Sequence, residues 1–282
     1  MNFIAPVSEI IRNRKSKRSF SNELPAQSIL DMIDSALKEN SIGPFGNCVD
    51  FKLIEKKSAQ TEHKVKLGTY GFISGARFFI AGALDTSKPF ALEDYGYLLE
   101  KIILHLTDWG MGTCWLGGTF NRNDFAQVLS ENPSQVIPAI TPVGIPIQNT
   151  NIKENIIRWG AKSNSRKNWD ELFFEHSFQQ NLTPESAQPF ETPLEMVRWA
   201  PSASNKQPWR IVKNEQGFHF FLEETPGYDK MIKAIKLQRI DMGIAMAHFD
   251  LTCRELQLPG QWRDQKPAIE SKEKQYITSW IV

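Results

Sequence analysis

Residues 94–115 read DYGYLLEKIILHLTDWGMGTCW and residues 241–262 read DMGIAMAHFDLTCRELQLPGQW, and the two stretches align without a gap. They share Asp94 with Asp241, Gly96 with Gly243, Leu104 with Leu251 and Trp115 with Trp262. Four identities in a helical stretch of this length are within reach of chance for two amphipathic helices, so their weight comes from what surrounds them. Working outward, an Asn-bearing loop stands ahead of a strand in each half: Ile42-Gly43-Pro44-Phe45-Gly46-Asn47 and Ala200-Pro201-Ser202-Ala203-Ser204-Asn205. Around each, the order is helix, loop, strand, strand, long helix, Trp, terminal strand. Recurrence of a whole order of elements favours duplication. The expected fold is α+β, with two tandem units at 1–180 and 181–282 joined by the polar, proline-bearing connector Asn181 to Pro193.

Periodicity supplies the elements. Helices are expected over Val7 to Asn13 and Pro25 to Asn40, the latter with Ile29, Ile33, Ala36 and Leu37 on one face and Pro25 in its first turn. Asp50 to Glu55 alternates as a half-buried strand, and Ala76 to Leu84 is a continuous apolar strand. Pro89 opens a long helix that Gly110 stops near Trp109. Asn121 to Leu129 reads as a helix. Val136 to Val143 reads as a strand that Pro138 and Pro142 place at a sheet edge or bulge. Asp170 to Phe178 and Leu194 to Trp199 read as helices, Trp209 to Lys213 and Phe218 to Leu222 as strands. Tyr228 to Leu256 completes the set as a helix, with a final apolar run at Tyr276 to Val282.

At 282 residues, with 41% hydrophobic and 23% charged side chains, the chain has ample apolar material for a core. Its net charge of +1 sets up no global field toward nucleic acid or an anionic membrane. No apolar run approaches a membrane span and the first residues lack a signal-peptide core, so a cytoplasmic protein is expected. Cys48, Cys114 and Cys253 are widely spaced and form no CxxC pair, and the five histidines form no ligand pair, which argues against disulfide or metal frameworks.

Three segments carry chemistry. Arg14-Lys15-Ser16-Lys17-Arg18 concentrates guanidinium forks, ammonium groups and a hydroxyl, suited to a phosphate dianion, though a solvated basic run is the plain alternative. Pro201-Ser202-Ala203-Ser204-Asn205-Lys206-Gln207-Pro208-Trp209 places small polar side chains between two prolines at a strand entrance, where they can meet a planar polar heterocycle. Gly110-Met111-Gly112-Thr113-Cys114-Trp115-Leu116-Gly117-Gly118 follows a helix and has Trp115 where a dinucleotide fingerprint needs its third glycine, so it reads as backbone that can approach a ligand closely.

Together these segments resemble the nitroreductase family of FMN-dependent oxidoreductases, specifically a branch with two family units fused in one chain. The basic signature is met by Arg14 to Phe20. The Pro-Ser-x-x-Asn-x-Gln-Pro-Trp loop is met at Pro201, Ser202, Asn205, Gln207, Pro208 and Trp209. Trp115-Leu116-Gly117-Gly118 meets the mid-chain Trp-x-Gly-Gly, and Arg166-Lys167 meets the late basic segment. The resemblance implies a nitroreductase-like pseudo-dimer, monomeric as a chain. In it Arg14, Lys15, Ser16, Arg18 and Arg166 hold the FMN phosphate and ribityl chain, Pro201, Ser202, Asn205 and Gln207 the far edge of the flavin, and Leu116 to Gly118 supply an N–H for flavin N5. The implied partners are NAD(P)H and a small electron-poor acceptor reduced by ping-pong transfer, with no nucleic acid or membrane.

One departure is visible. The family often places a Lys near flavin N1, and Tyr70 to Ala76 has none, leaving Lys66 or Arg77 to substitute. A flavin-binding carrier or sensor without turnover is therefore the alternative. The second copies of the motifs are degraded as well: Phe45 and Val49 occupy the first unit's loop, and Thr183 to Glu195 has no Arg or Lys, so one FMN per chain is expected.

Overall fold

The computed structural model describes residues 2–56, 68–129, 135–147, 165–227 and 235–282. In chain order these form α1 (Val7–Asn13), α2 (Gln27–Glu39), β1 (Asp50–Glu55), β2 (Phe78–Ala83), α3 (Ala91–Asp108), β3 (Gly112–Thr113), α4 (Arg122–Leu129) and β4 (Ile140–Gly144). There follow α5 (Trp169–Leu172), β5 (Phe173–Glu175), α6 (Pro184–Ala187), α7 (Glu191–Trp199), β6 (Trp209–Asn214), β7 (Gly217–Leu222), α8 (Leu237–Glu255), β8 (Gln261–Arg263) and β9 (Gln275–Ile281). The chain separates into two units: Met1–Ala5, Asn13–Ala91 and Leu98–Gly160 form one, and Pro6–Arg12, Leu92–Tyr97 and Ala161–Val282 the other.

In the first unit the apolar run at β2 lies between β1 and β4, and the sheet order is β1-β2-β4-β3 with all neighbours antiparallel. Phe79, Phe120 and Phe125 meet edge to face on it, Phe125 lying 5.6 Å from Phe79 and 5.5 Å from Phe120. In the second unit the order is β5-β6-β7-β9-β8, and β6, β7, β9 and β8 repeat the antiparallel pairing of β1, β2, β4 and β3. β5 adds a parallel edge strand. Its core is an aromatic cluster in which Phe249 packs against Phe218, Phe220 and Trp280 at 5.3, 5.5 and 5.7 Å.

The long helices α3 and α8 end alike. Met111 N–H donates to Leu106 C=O and Gly110 N–H to Thr107 C=O, a Schellman motif with Gly110 at φ 74°. Leu258 N–H donates to Cys253 C=O and Gln257 N–H to Arg254 C=O, with Gln257 at φ 55°. Each position in the second set is the aligned counterpart of the first. The last helical residues correspond too: Asp108 accepts from the Ile4 and Ala5 N–H groups in the first unit, and Glu255 from those of Val7 and Ser8 in the second. A carboxylate at these N–H groups satisfies donors that α1 and its lead-in leave open.

Some elements differ from expectation. Pro25 precedes the Ala26 cap of α2 and lies outside its first turn. Pro142 sits in an inner strand, not at an edge or bulge. Ile140 exchanges both backbone bonds with Leu116, so strand alternation turns the Pro142 nitrogen toward the same side. There the Cys114 N–H bonds the Thr141 hydroxyl. The expected helix over Asp170 to Phe178 is a single turn, because Phe173 and Phe174 pair with Ile211 and Val212 of β6. The connector holds α6, capped by the Thr183 hydroxyl, and α7 begins at Glu191. The start of the helix expected from Tyr228 falls outside the described residues as far as 234; the helix is described from Leu237.

Candidate functional site

In the first unit the basic segment leaves α1 extended and lies along β3. Ser16 bridges Thr113 in parallel, and Lys17 N–H donates to Thr113 C=O at 2.7 Å. Gly112 permits this approach, since a Cβ there would crowd Lys17 Cβ at 3.1 Å and Pro146 Cβ at 3.0 Å. On its other side Ser74 N–H donates to Arg18 C=O, and Phe20 N–H to Ser74 C=O. Lys15 is exposed, Ser16 and Arg18 are half-buried, and Arg14 is buried.

Arg14 has a structural partner that the sequence did not suggest. Its Nε lies 3.7 Å from Glu100 Oε1, while Glu100 Oε2 accepts from Trp115 Nε1 at 2.6 Å. Glu100 is fully buried, so the guanidinium compensates a carboxylate that burial would otherwise penalise.

The glycine segment follows at once. Leu116 N–H is taken up by Ile140 C=O at 2.9 Å, which removes Leu116 as a backbone donor to a ligand. The N–H groups of Gly117 and Gly118 have no partner among the described residues. Arg122 binds the Gly117 carbonyl and also donates to the carbonyls of Ile137 and Pro138. Because C=O and N–H of one peptide point in opposite directions, that grip aims the Gly118 N–H away from Arg122. Arg122 is a positioning side chain missed in sequence; an arginine opening the helix four residues after paired glycines was the available signal.

In the second unit the Pro201–Gln207 loop is braced from within. Ser204, Asn205 and Gln207 have φ of 50°, 54° and 48°, left-handed values that non-glycine residues adopt at some cost. Ser202 Oγ accepts from Gln207 N–H at 2.8 Å, and Gln207 Nε2 donates to Asn205 C=O. Asp241 Oδ1 accepts from Ala203 N–H at 2.9 Å. The late basic segment comes to this loop: Lys167 N–H donates to Gln207 Oε1, and Asn205 Nδ2 to Ser165 C=O. Arg166 reaches Ser165 C=O and, at 3.3 Å, Trp199 C=O at the end of α7. Burial and the neighbouring Arg210 lower the Lys167 pKa. The unit thus joins Arg166, Asn205 and Gln207, residues whose expected roles lay at opposite ends of a flavin.

The corresponding loop of the first unit is filled. Phe45 stacks on Phe90 at 4.1 Å, and buried Asn47 donates to Pro89 C=O. Of the candidate cations near Tyr70 to Ala76, Arg77 is turned to Glu55 at 2.8 Å, and Lys66 lies outside the described residues. Among the described residues no cluster of His, Cys, Asp or Glu could hold a metal ion, and no helix is long and apolar enough to cross a membrane. His63 also lies outside the described residues.

A solved structure from Thermotoga maritima, described as a "putative nitroreductase", is 21% identical, covers 100% of this chain and 95% of its own, and superposes with a TM-score of 0.59. At that identity it shows the fold. A nitroreductase with bound FMN from Desulfitobacterium hafniense is 20% identical over 52% of this chain and 92% of its own, with a TM-score of 0.41. A similar structure in complex with FMN from Desulfovibrio desulfuricans is 21% identical over 54% of this chain and 95% of its own, also at 0.41. No curated protein matches the chain. The family model described as "Putative TM nitroreductase" matches residues 6–253. With most of its length matched, the chain belongs to this nitroreductase family.

Proposed function

We propose that the chain is an FMN-dependent oxidoreductase that takes reducing equivalents from NAD(P)H and passes them to a small, flat, electron-poor acceptor. The observation that carries this reading is the Ser16–Thr113 bridge, which sets the basic segment beside the strand leading into Gly117 and Gly118. Cation, hydroxyl and unpaired backbone N–H groups are the donor set a flavin phosphate and ring require. Arg18, Ser16 and Lys15 hold the phosphate, with Arg14 contributing charge while it neutralises Glu100. Gly118, aimed by Arg122, presents its N–H to the ring. Within the second unit, the Pro201–Gln207 loop gathers with Arg166 as a further polar set. When bound, FMN supplies hydride acceptance and delivery at one face, which makes the transfer ping-pong. The tandem units at 1–180 and 181–282 are proposed to act as the two halves of a family dimer.

One observation favours the carrier alternative: Arg77, a candidate cation for the ring, is turned to Glu55. Anaerobic addition of NAD(P)H to flavin-loaded protein separates the two. Bleaching of the visible flavin band within the mixing time supports the enzyme, and a stable band over hours supports the carrier.

A further inference from the structure

We propose that Asp241 is the positioning residue of the Pro201–Gln207 loop and holds it as an uncharged acid. Asp241 lies in the first turns of α8 and is 3% exposed. Its Oδ1 takes the Ala203 N–H, and its Oδ2 is buried without a partner among the described residues. A carboxylate in that position would leave a charged oxygen with neither cation nor donor, which is far costlier than burying a neutral acid.

Arg239, two residues before Asp241 in α8, is engaged in an ion pair with Glu93. Desolvation accordingly raises the Asp241 pKa to about 8, opposed only by the Ala203 hydrogen bond. The loop it starts contains three left-handed non-glycine residues, so the bond to Ala203 fixes a backbone that would otherwise relax. This inference rests on the flavin reading only for what the loop holds; the anchoring itself stands on the geometry.

The linkage has a definite sign. Opening the loop to water returns the acid to the ordinary Asp range, so the open state binds fewer protons. The opening constant then rises tenfold per pH unit up to about 8 and levels off above it.

Hydrogen exchange of the peptide spanning residues 200–208, corrected for intrinsic rates, reads this directly in the full chain. In the parent, protection should fall about tenfold per unit from pH 6 to 8 and flatten above. Asp241→Asn, which keeps an acceptor and cannot ionise, should hold its protection across that range. Asp241→Ala should lose protection at every pH. A parent with pH-independent protection would overturn the uncharged acid, and an Asp241→Ala variant as protected as the parent would overturn the anchor. If Asp241→Ala does not fold, the parent and Asp241→Asn still decide. An FMN titration in parallel separates the two claims: the expected exchange pattern with no FMN binding by the parent leaves the anchor standing and removes the flavin reading.

Discussion

Gly96 and Gly243 contact each other reciprocally within the second unit. A Cβ on Gly96 would collide with the carbonyl of Ile240, three residues before Gly243, and a Cβ on Gly243 with the carbonyl of Glu93, three residues before Gly96. Arg239 extends this contact with its ion pair to Glu93.

Alanine at either glycine therefore has a sign that decides the matter. In a free helix interior Gly→Ala stabilises by about 1 kcal/mol. Against a backbone carbonyl it should instead destabilise, by roughly 1–3 kcal/mol or more. Chemical denaturation of Gly96→Ala and Gly243→Ala should show lowered midpoints; raised midpoints would mean that the helices do not meet there.

Gln257 occupies the left-handed cap position that Gly110 fills in the first copy. Gln257→Gly should stabilise by about 1 kcal/mol, the strain of a side chain at positive φ, and Gly110→Gln should cost a similar amount. Thermal midpoints of the two variants should move in opposite directions.

Much of the architecture was legible because it rests on local signals. The apolar run at β2, the amphipathic α2, Gly110 as a helix stop and the proline-bounded loop all declare themselves in their own residues. What was missed depends on partners distant in sequence. Pro142 reads as an edge residue until β3 is seen to pair with the far side of its strand. Phe173 and Phe174 look helical until Ile211 and Val212 pair with them. At the candidate site, the residue types were readable but their commitments were not: Arg14 is bound to Glu100, Leu116 N–H to Ile140, and Asp241, noticed as a repeat, anchors Ala203.

Arg18→Ala should weaken FMN binding by about 10- to 100-fold, the loss of one charge-assisted hydrogen bond. Arg14→Ala should weaken binding and also destabilise the fold, because Glu100 loses its nearby cation. Riboflavin, which lacks the phosphate, should bind parent and Arg18→Ala alike. Equal FMN affinity for Arg18→Ala and parent would remove the segment from the phosphate site.

His105 is fully buried, stacked on Phe3 at 4.0 Å and beside Trp109 at 5.6 Å, with neither ring nitrogen bonded among the described residues. Burial, aided by Lys101, lowers its pKa to about 4. The neutral ring is the folded form, so its contribution is complete above the ordinary histidine value and is lost as pH falls toward 4. Denaturation midpoints of parent and His105→Phe should diverge between pH 6.5 and 4, the parent falling more steeply. Parallel curves would show that His105 takes up no proton on unfolding.

The central claim, that one chain binds one FMN, follows from unequal loops. Phe45 stacked on Phe90 fills the first unit's loop, whereas the second unit's loop has no such ring and is braced by Ser202, Asn205 and Gln207. Calorimetric titration of flavin-free protein with FMN measures it. The account predicts saturation at one equivalent per chain; saturation at two would contradict the inequality of the loops, and no heat of binding, in a chain shown to be folded, would contradict the flavin assignment itself.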